Sequence, residues 1–384
     1  MTILFTVQVE TNAGLADKLG KFLNLYRLGR ALGYSYVHSP SFESRRSAGL
    51  QRKNAGFLKR IMSPASEPSL AEFLGLDLHD ELITSEKYAN YSSHIVDVNA
   101  IFTAQGFRQL SKLKSRIEVA APDTIYVLRW TGKWSLQVIQ RLDRFLNRWC
   151  EMDARQAAIE GLELPKKYLL ARERWPLSVP FAEDKIRLAI HIRKGDRAVI
   201  RLGQRIIAVH ASKVDLVREQ QLEKLSTRMG QPRSLIEVSE VAGCLRQILS
   251  DFGADKFSII VVSDGYERTF REIRKALQDG RLCLQPDELR QLKNMEVSAP
   301  REFDAFQSLP NTTTIVGESR QNLYQSIHAI VSADIVISTV GGFSKLNLWF
   351  HPEESVSLVA NFKPGCERIR KRIGAALRKL EQQD

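Results

Sequence analysis

The sequence predicts an α/β protein made of two units with parallel sheets, and three observations carry that expectation. Strand-like and helix-like periodicities alternate from Ile186 onward, the order that builds a doubly wound sheet. A strand-loop-helix pattern also opens the chain at Ile3. The length of 384 residues suits two domains of ordinary size, and RWPLSVP (Arg174 to Pro180), with two prolines, is the best break between them. Domains are therefore expected at 1–180 and 181–384.

In the first half, Ile3 to Val9 reads as a strand and Thr11-Asn12-Ala13-Gly14 as a turn. Leu15, Leu19, Phe22, Tyr26 and Leu32 then recur near helical spacing. Ser35 to His38 reads as a second strand, followed by a long basic loop from Ser39 to about Arg60. Helices are expected at Leu70 to Leu74 and Leu136 to Gly161, with a strand from Thr124 to Trp130 between them.

The second half opens on KIRLAIHIRKGDR, in which Ile186, Leu188, Ile190 and Ile192 alternate with Arg187, Ala189, His191 and Arg193. A variable loop follows, then a helix (Ser234 to Phe252), a strand (Phe257 to Val262) and a helix (Glu267 to Asp279). Next come a strand (Thr313 to Val316), a helix (Gln321 to Val331) and a strand (Ile335 to Ser338). Phe343 to Phe350 opens another helix, and the basic periodic tail from Cys366 to Glu381 is a final helix that could pack across both domains.

Composition narrows the class. With 43% hydrophobic and 26% charged residues the chain is folded and soluble, and its apolar runs are far below the ~20 residues a bilayer-spanning helix needs. The N-terminus lacks a basic stretch ahead of its brief apolar run, so no secretory signal and a cytoplasmic location are expected. Cys150, Cys244, Cys283 and Cys366 are scattered without metal-ligand spacing and are expected reduced. The net charge of +12 points to an anionic partner: nucleic acid, a membrane surface or a phosphorylated small molecule. Two basic blocks contribute, Arg45, Arg46, Arg52, Lys53, Lys59 and Arg60, and later Arg368, Arg370, Lys371, Arg372, Arg378 and Lys379. Each is either a docking surface, including a peripheral one on anionic membrane, or an ordinary solvated face.

Three motifs end strands in polar residues. The first delivers His191, Arg193, Gly195 and Asp196 to a carboxyl edge, where open α/β sheets bind ligands. Arg193 offers a fork of donors for a phosphate, and Gly195 allows close backbone approach. His191 could equally hydrogen-bond in the core. The second, SIIVVSDGYE, brings Ser263 and Asp264, which either contact a base or ribose or cap the next helix. The third, ADIVISTVGGFSKLNLWF, brings Ser338, Thr339, Gly342, Phe343 and Ser344 to a turn suited to an anion. Neither a GxGxxG nor a GxxxxGK[ST] pattern occurs. Together the three edges fit a nucleotide diphosphate.

At HIRKGD, SDG and STVGGFSKL the sequence resembles the GT-B fucosyltransferase superfamily: the α-1,2-, α-1,6- and protein-O-fucosyltransferases and the rhizobial nodulation-factor enzymes, which share an HxRxxD-like motif. NAGLADKLG is similar to the first loop of such enzymes. The resemblance implies two Rossmann-like domains facing each other across a cleft, with GDP-fucose as donor substrate, no cofactor and no metal. It places the β-phosphate on Arg193, carries the motif acid onto Asp196, and gives guanosine and phosphates to the second and third motifs. Where relatives often show two acids in the second motif, this chain has Gly265 beside Asp264. The implied reaction is inverting transfer of fucose to a glycan or lipid-linked acceptor. A base for the acceptor hydroxyl is expected from Asp17, Glu10 or Asp196, although Asp17 also suits the first turn of a helix. Alternatives are another nucleotide sugar as donor, a donor-binding protein without turnover, and a basic nucleic-acid-binding protein lacking a known nucleic-acid motif.

Overall fold

The structure, a computed structural model, describes residues 3–10, 14–39, 68–79, 81–104, 107–118, 123–132, 136–210, 213–218, 237–339, 341–352, 357–362 and 365–382. The turn at 11–13 and the first basic block lie outside the described residues. The chain divides into two compact units, Met1–Pro176 and Leu177–Asp384.

The first unit holds a four-stranded, all-parallel sheet. Its strands are β1 (Leu4–Glu10), β2 (Ser35–Tyr36), β3 (Ser92–Asp97) and β4 (Thr124–Thr131), in the order β2-β1-β4-β3. Helix α1 (Leu15–Ala31) buries Leu19, Phe22, Leu23 and Tyr26 against it. The short α2 (Leu70–Phe73) is closed by a reciprocal Ser69 and Glu72 cap, and α3 (Val98–Ala104) and α4 (Leu110–Ile117) follow β3. The single helix expected from Leu136 to Gly161 is interrupted. Helix α5 (Leu136–Trp149) ends, and Asp153 restarts the chain by accepting bonds from the backbone N–H groups of Arg155 and Gln156. A further helix, α6 (Leu164–Arg174), precedes the break between units.

The second unit holds a five-stranded, all-parallel sheet: β5 (Ile186–Ile192), β9 (Phe257–Ser263), β10 (Thr312–Val316), β11 (Ile335–Ser338) and β12 (Leu358–Asn361). Their order is β10-β9-β5-β11-β12. The direction of winding reverses between β5 and β11, the point where such sheets bind ligands. All seven residues of β9 are buried, as a central parallel strand covered on both faces requires. β5 is also central, so its alternation does not leave one face in water: Ala189 and His191 are as buried as Leu188 and Ile190. Helices α7 (Val238–Phe252), α8 (Glu267–Gln278), α9 (Pro286–Ser298), α10 (Arg320–Ser332), α11 (Lys345–Phe350) and α12 (Cys366–Leu380) complete the unit. Ile369, Ile373, Ala376 and Leu377 of α12 are buried in this unit's own core.

Two further findings depart from the sequence reading. The segment read as a variable loop contains an antiparallel three-stranded meander, β6 (Arg197–Leu202), β7 (Arg205–His210) and β8 (Lys213–Arg218). One face of it, with Ala198, Ile200, Leu202, Ile207 and Val209, joins the main core. The second departure is covalent. Cys244 in α7 and Cys366 at the start of α12, with Cα atoms 5.3 Å apart, form a disulfide, whereas reduced cysteines were expected. The pair is 122 residues apart in sequence, so spacing carries no sign of it. Cys150 and Cys283 are free thiols.

Candidate functional site

The carboxyl ends of β5, β9 and β11 bring the three motifs together. Register places Ser338 opposite His191, and His191 opposite Val262 on the other side. The backbone N–H of Thr339 donates to the His191 carbonyl at 3.0 Å. Beyond the last strand residue, the Arg193 N–H donates to the Thr339 hydroxyl at 3.1 Å. The first and third motifs are therefore stitched to each other where the winding reverses.

Arg193 presents its fork to Asp196: Nε to Oδ1 at 2.6 Å and Nη2 to Oδ2 at 2.7 Å. This is the two-point geometry with which a guanidinium also takes a phosphate. Burial works to raise the Asp196 carboxyl, but the Arg193 hydrogen bonds and the charges of Arg193, Arg268 and Arg197 outweigh it and hold the group below the usual carboxylate range. The remaining nitrogen faces the third motif, since a Cβ on Gly341 would lie 2.9 Å from Nη1. Gly341 has φ of +105°, so both space and backbone require glycine.

Asp264 is tied to the turn that carries Arg193. Its Oδ1 accepts the Lys194 N–H at 2.8 Å, and the Gly195 N–H also bonds to this carboxylate. Burial nevertheless raises its pKa overall. From α8 the buried Thr269 hydroxyl reaches the carbonyls of Lys194 and Gly195 at 2.8 and 3.0 Å. The turn is thus gripped by an acceptor on its amides and a donor on its carbonyls. Lys194 itself runs inward, over the Tyr266 ring at 5.7 Å, and its ammonium is lowered by burial against the opposing pull of Glu237, Glu302 and Glu240.

Several hydroxyls expected at a ligand are engaged locally. The Ser263 Oγ accepts the Gly265 N–H at 3.1 Å. Ser344 Oγ donates to Ser338 Oγ at 3.2 Å, and Ser338 to Asn361 Oδ1 at 3.1 Å, a chain that fastens the third motif to β12. The Gly342 carbonyl accepts the Lys345 N–H as the short α11 begins. Phe343 lies 5.0 Å from the His191 ring, centroid to centroid. His191 is pushed down to about 3 by burial and then by Arg193, so its ring is neutral, and its buried Nδ1 has no hydrogen-bond partner among the described residues. Asp17 stands exposed in the first turn of α1 in the first unit, where its charge opposes the burial that lowers Lys21 to about 8. Glu10 ends β1 and accepts from Gln8 at 2.8 Å.

The structure adds residues that sequence reasoning passed over. Arg197 begins β6 directly after Asp196, and His210 faces it across the β6/β7 ladder. Arg268 stands in the first turn of α8. The signal for Arg268 lay in its position four residues after Asp264, which became meaningful only with Asp264 placed against β5. A cavity of about 600 Å³ starts at Gly265 and Gly317 and runs along the outer strand β10, with Phe270 and Phe303 in its wall. Neither Arg193 nor Asp196 lines it. In the first unit Tyr36 Oη bonds His38 Nδ1 at 2.6 Å, the His38 and His79 rings stack at 3.9 Å, and Lys167 Nζ bonds His79 Nδ1 at 2.9 Å.

Among the described residues no group of three or more potential metal ligands occurs, and no helix is long and apolar enough to cross a membrane. No protein family and no curated protein matches the sequence. Among solved structures the chain is similar to POFUT1 in complex with GDP, at 12% identity and a TM-score of 0.36, covering 92% of this chain and 98% of that one. It is also similar to E. coli ADP-heptose LPS heptosyltransferase II (11%, TM-score 0.34, 99% and 100%). A third is UDP-GlcNAc 2-epimerase from Methanocaldococcus jannaschii (11%, TM-score 0.33, 97% and 92%). At such scores the site itself has to carry the functional reading.

Proposed function

We propose that the protein is a glycosyltransferase of the GT-B kind, that its second unit holds a nucleoside-diphosphate sugar, and that GDP-fucose is the donor. The observation that carries this reading is Arg193, locked in two-point contact with a carboxylate at the point where the sheet's winding reverses. The identity of the sugar and the base rests on the resemblance of HIRKGD, SDG and STVGGFSKL to the fucosyltransferases. The cavity beginning at Gly265 supplies aromatic walls for a base.

In the proposed step an acceptor hydroxyl oxygen bonds to the anomeric carbon as the sugar–phosphate bond breaks, and the electron pair leaves on the diphosphate. Arg193 turns from Asp196 to the departing phosphate and stabilises the charge that builds there. The hydroxyl proton passes to a carboxylate, for which Asp196, released by Arg193, joins Asp17 and Glu10 as the candidates. The acceptor, a glycan or a lipid-linked glycan, falls to the first unit, and the chemistry needs no divalent ion.

The nucleic-acid reading loses some support because three of the six residues of the second basic block are engaged within the chain: Arg370 pairs with Asp251, Lys371 with Glu367, and Arg372 donates to the Val359 carbonyl. A cytoplasmic location remains part of the proposal, with Cys244–Cys366 as the feature most at odds with it, since disulfides persist mainly in oxidising compartments. Calorimetric titration with GDP, GDP-fucose and other nucleotide sugars tests the donor. Tight binding and turnover of GDP-fucose is the expected result, and preferential turnover of a different donor overturns the fucose assignment.

A further inference from the structure

We propose that Glu267 selects the base of the donor: its carboxylate accepts the two neighbouring N–H donors of guanine, N1–H and N2–H₂, at the cavity beside β10. The proposal rests on the donor reading above, and it ties the choice of guanine to a side chain of this protein as well as to a resemblance.

Three relationships support it. The first is position. The cavity of about 600 Å³ is large enough for a small ligand and starts where β9 and β10 end, at Gly265 and Gly317. Gly265 follows Asp264, whose carboxylate holds the loop that carries Arg193. In the order β10-β9-β5 the cavity therefore starts one to two strand spacings, about 5–10 Å, from the end of β5, which leaves room for a ribose between a base there and a diphosphate at Arg193. The second is open space beside the carboxylate. Gly265 and Gly317 have φ of +64° and +119°, and a Cβ on Gly317 would lie 3.4 Å from Glu267 Oε1. The carboxylate thus stands next to backbone that carries no side chain. Phe270 and Phe303 give the same cavity aromatic surface on which a base can stack.

The third is the state of the charges around the cavity. Among the described residues three carboxylates and two guanidiniums line it. Arg274 pairs with Glu296, Arg271 pairs with Glu318 at 2.9 Å, and Asp304 Oδ1 accepts the Gln307 amide at 3.1 Å. Glu267 alone of the three carboxylates has no hydrogen bond or ion pair with a described residue. It opens the 12-residue α8, where the helix dipole favours a negative charge. A carboxylate only accepts hydrogen bonds, and it can accept two side by side. Guanine presents two adjacent donors to it. Adenine and cytosine each put a ring-nitrogen acceptor beside the amino group, and uracil flanks its single N–H with two carbonyls, so each of these leaves an acceptor facing the carboxylate.

Calorimetry of the full chain with GDP, inosine diphosphate, ADP, 2′-deoxy-GDP and inorganic pyrophosphate tests this, using the wild type and Glu267→Gln. Inosine diphosphate lacks only the 2-amino group, so losing one charge-assisted hydrogen bond predicts roughly 10- to 100-fold weaker binding than GDP in the wild type. In Glu267→Gln the difference between GDP and inosine diphosphate should close, and ADP should gain, because an amide matches the donor and acceptor of adenine. Pyrophosphate should bind both proteins equally, which shows that the variant keeps its fold and its phosphate site. Equal wild-type affinity for GDP and inosine diphosphate overturns the proposal and leaves the donor reading standing, as does a Glu267→Gln variant that keeps the difference. Affinity lost with the 2′-hydroxyl rather than with the 2-amino group moves Glu267 to the ribose and likewise overturns it. A wild type that prefers ADP keeps a nucleoside diphosphate and overturns guanine. If pyrophosphate binds and no nucleoside diphosphate does, the donor reading falls and the proposal with it.

Discussion

Gly195 and Asp264, 69 positions apart, are in such close contact that a Cβ on Gly195 would lie 2.6 Å from Asp264 Oδ2. The acid of the second motif thus fits against the glycine of the first, and the loop bearing Arg193 takes its shape from that contact. A Gly195→Ala substitution must push Asp264 away from the amides of Lys194 and Gly195. The expected outcome is a destabilisation of about 1–3 kcal/mol and loss of GDP binding. Thermal melts and titration of the same variant check it, and an alanine variant with unchanged GDP affinity would show that the contact does not shape the site.

Asp264→Asn tests what this acid does. An amide keeps one acceptor oxygen but turns an N–H₂ group toward backbone donors, so a loop clamp should lose about 1–3 kcal/mol of stability. If Asp264 instead reads a base, the variant melts normally and changes its nucleotide preference.

Asp196 competes with any bound phosphate for the Arg193 fork. Asp196→Asn removes that competing charge, so pyrophosphate should bind more tightly than to the wild type. Turnover should fall at the same time if the carboxylate accepts the hydroxyl proton. Weaker pyrophosphate binding would show that Asp196 holds the arginine in place rather than occupying it.

Three histidines contribute strongly to the acid response, and His210, also lowered by burial, adds to it in the same direction. Burial, with Arg193, lowers His191 to about 3; burial, with Lys167, lowers His38 to about 4; and burial, with His38 and Lys167, lowers His79 to about 2. All are neutral when folded and titrate near 6.5 when unfolded, so unfolding takes up protons below that value. The stability they preserve is complete above about pH 6.5 and declines as pH falls toward their folded values. Near pH 5 the three together should give a slope of about 4 kcal/mol per pH unit in denaturant titrations. A flat stability between pH 6.5 and 4 would mean that these rings are not held neutral.

Thiol labelling in denaturant should find two reactive cysteines, Cys150 and Cys283, without reductant and four with it. Reduction should cost about 4–5 kcal/mol through the entropy of the 122-residue separation.

Much of the second sheet was legible because β9 and β11 are unbroken apolar runs ended by small polar residues, the pattern of parallel strands covered on both sides. The meander was not, because Arg197–Leu202 mixes arginines with its apolar residues, and the one signal in its first turn, Gly203 with φ of +60° leading the two-residue loop between Leu202 and Arg205, was passed over. β3, β12 and the helices α3, α4, α6 and α9 were missed as well, being short or weakly patterned. At the site, the sequence put Arg193 and Asp196 at one strand end but did not show that they bond to each other. Asp264 was expected to face a ligand or cap α8 and instead holds a loop 70 residues away, a partnership that spacing cannot show. Ser338 and Ser344 read as phosphate donors for the same reason: Ser344 donates to Ser338, and Ser338 to Asn361, which lies on a strand the sequence did not reveal.

The bond between Cys244 and Cys366 closes the stretch between them into a covalent ring. Strands β9, β10, β11 and β12 lie within that ring, while β5, with Arg193 at its end, lies outside it. A protease cut between α8 and α9 would open the ring yet leave one covalent body, visible as a single band until reductant is added. A cut between β8 and α7 would detach β5 covalently from the ring. The arginine would then be held to its partner strands by the sheet's hydrogen bonds and packing alone.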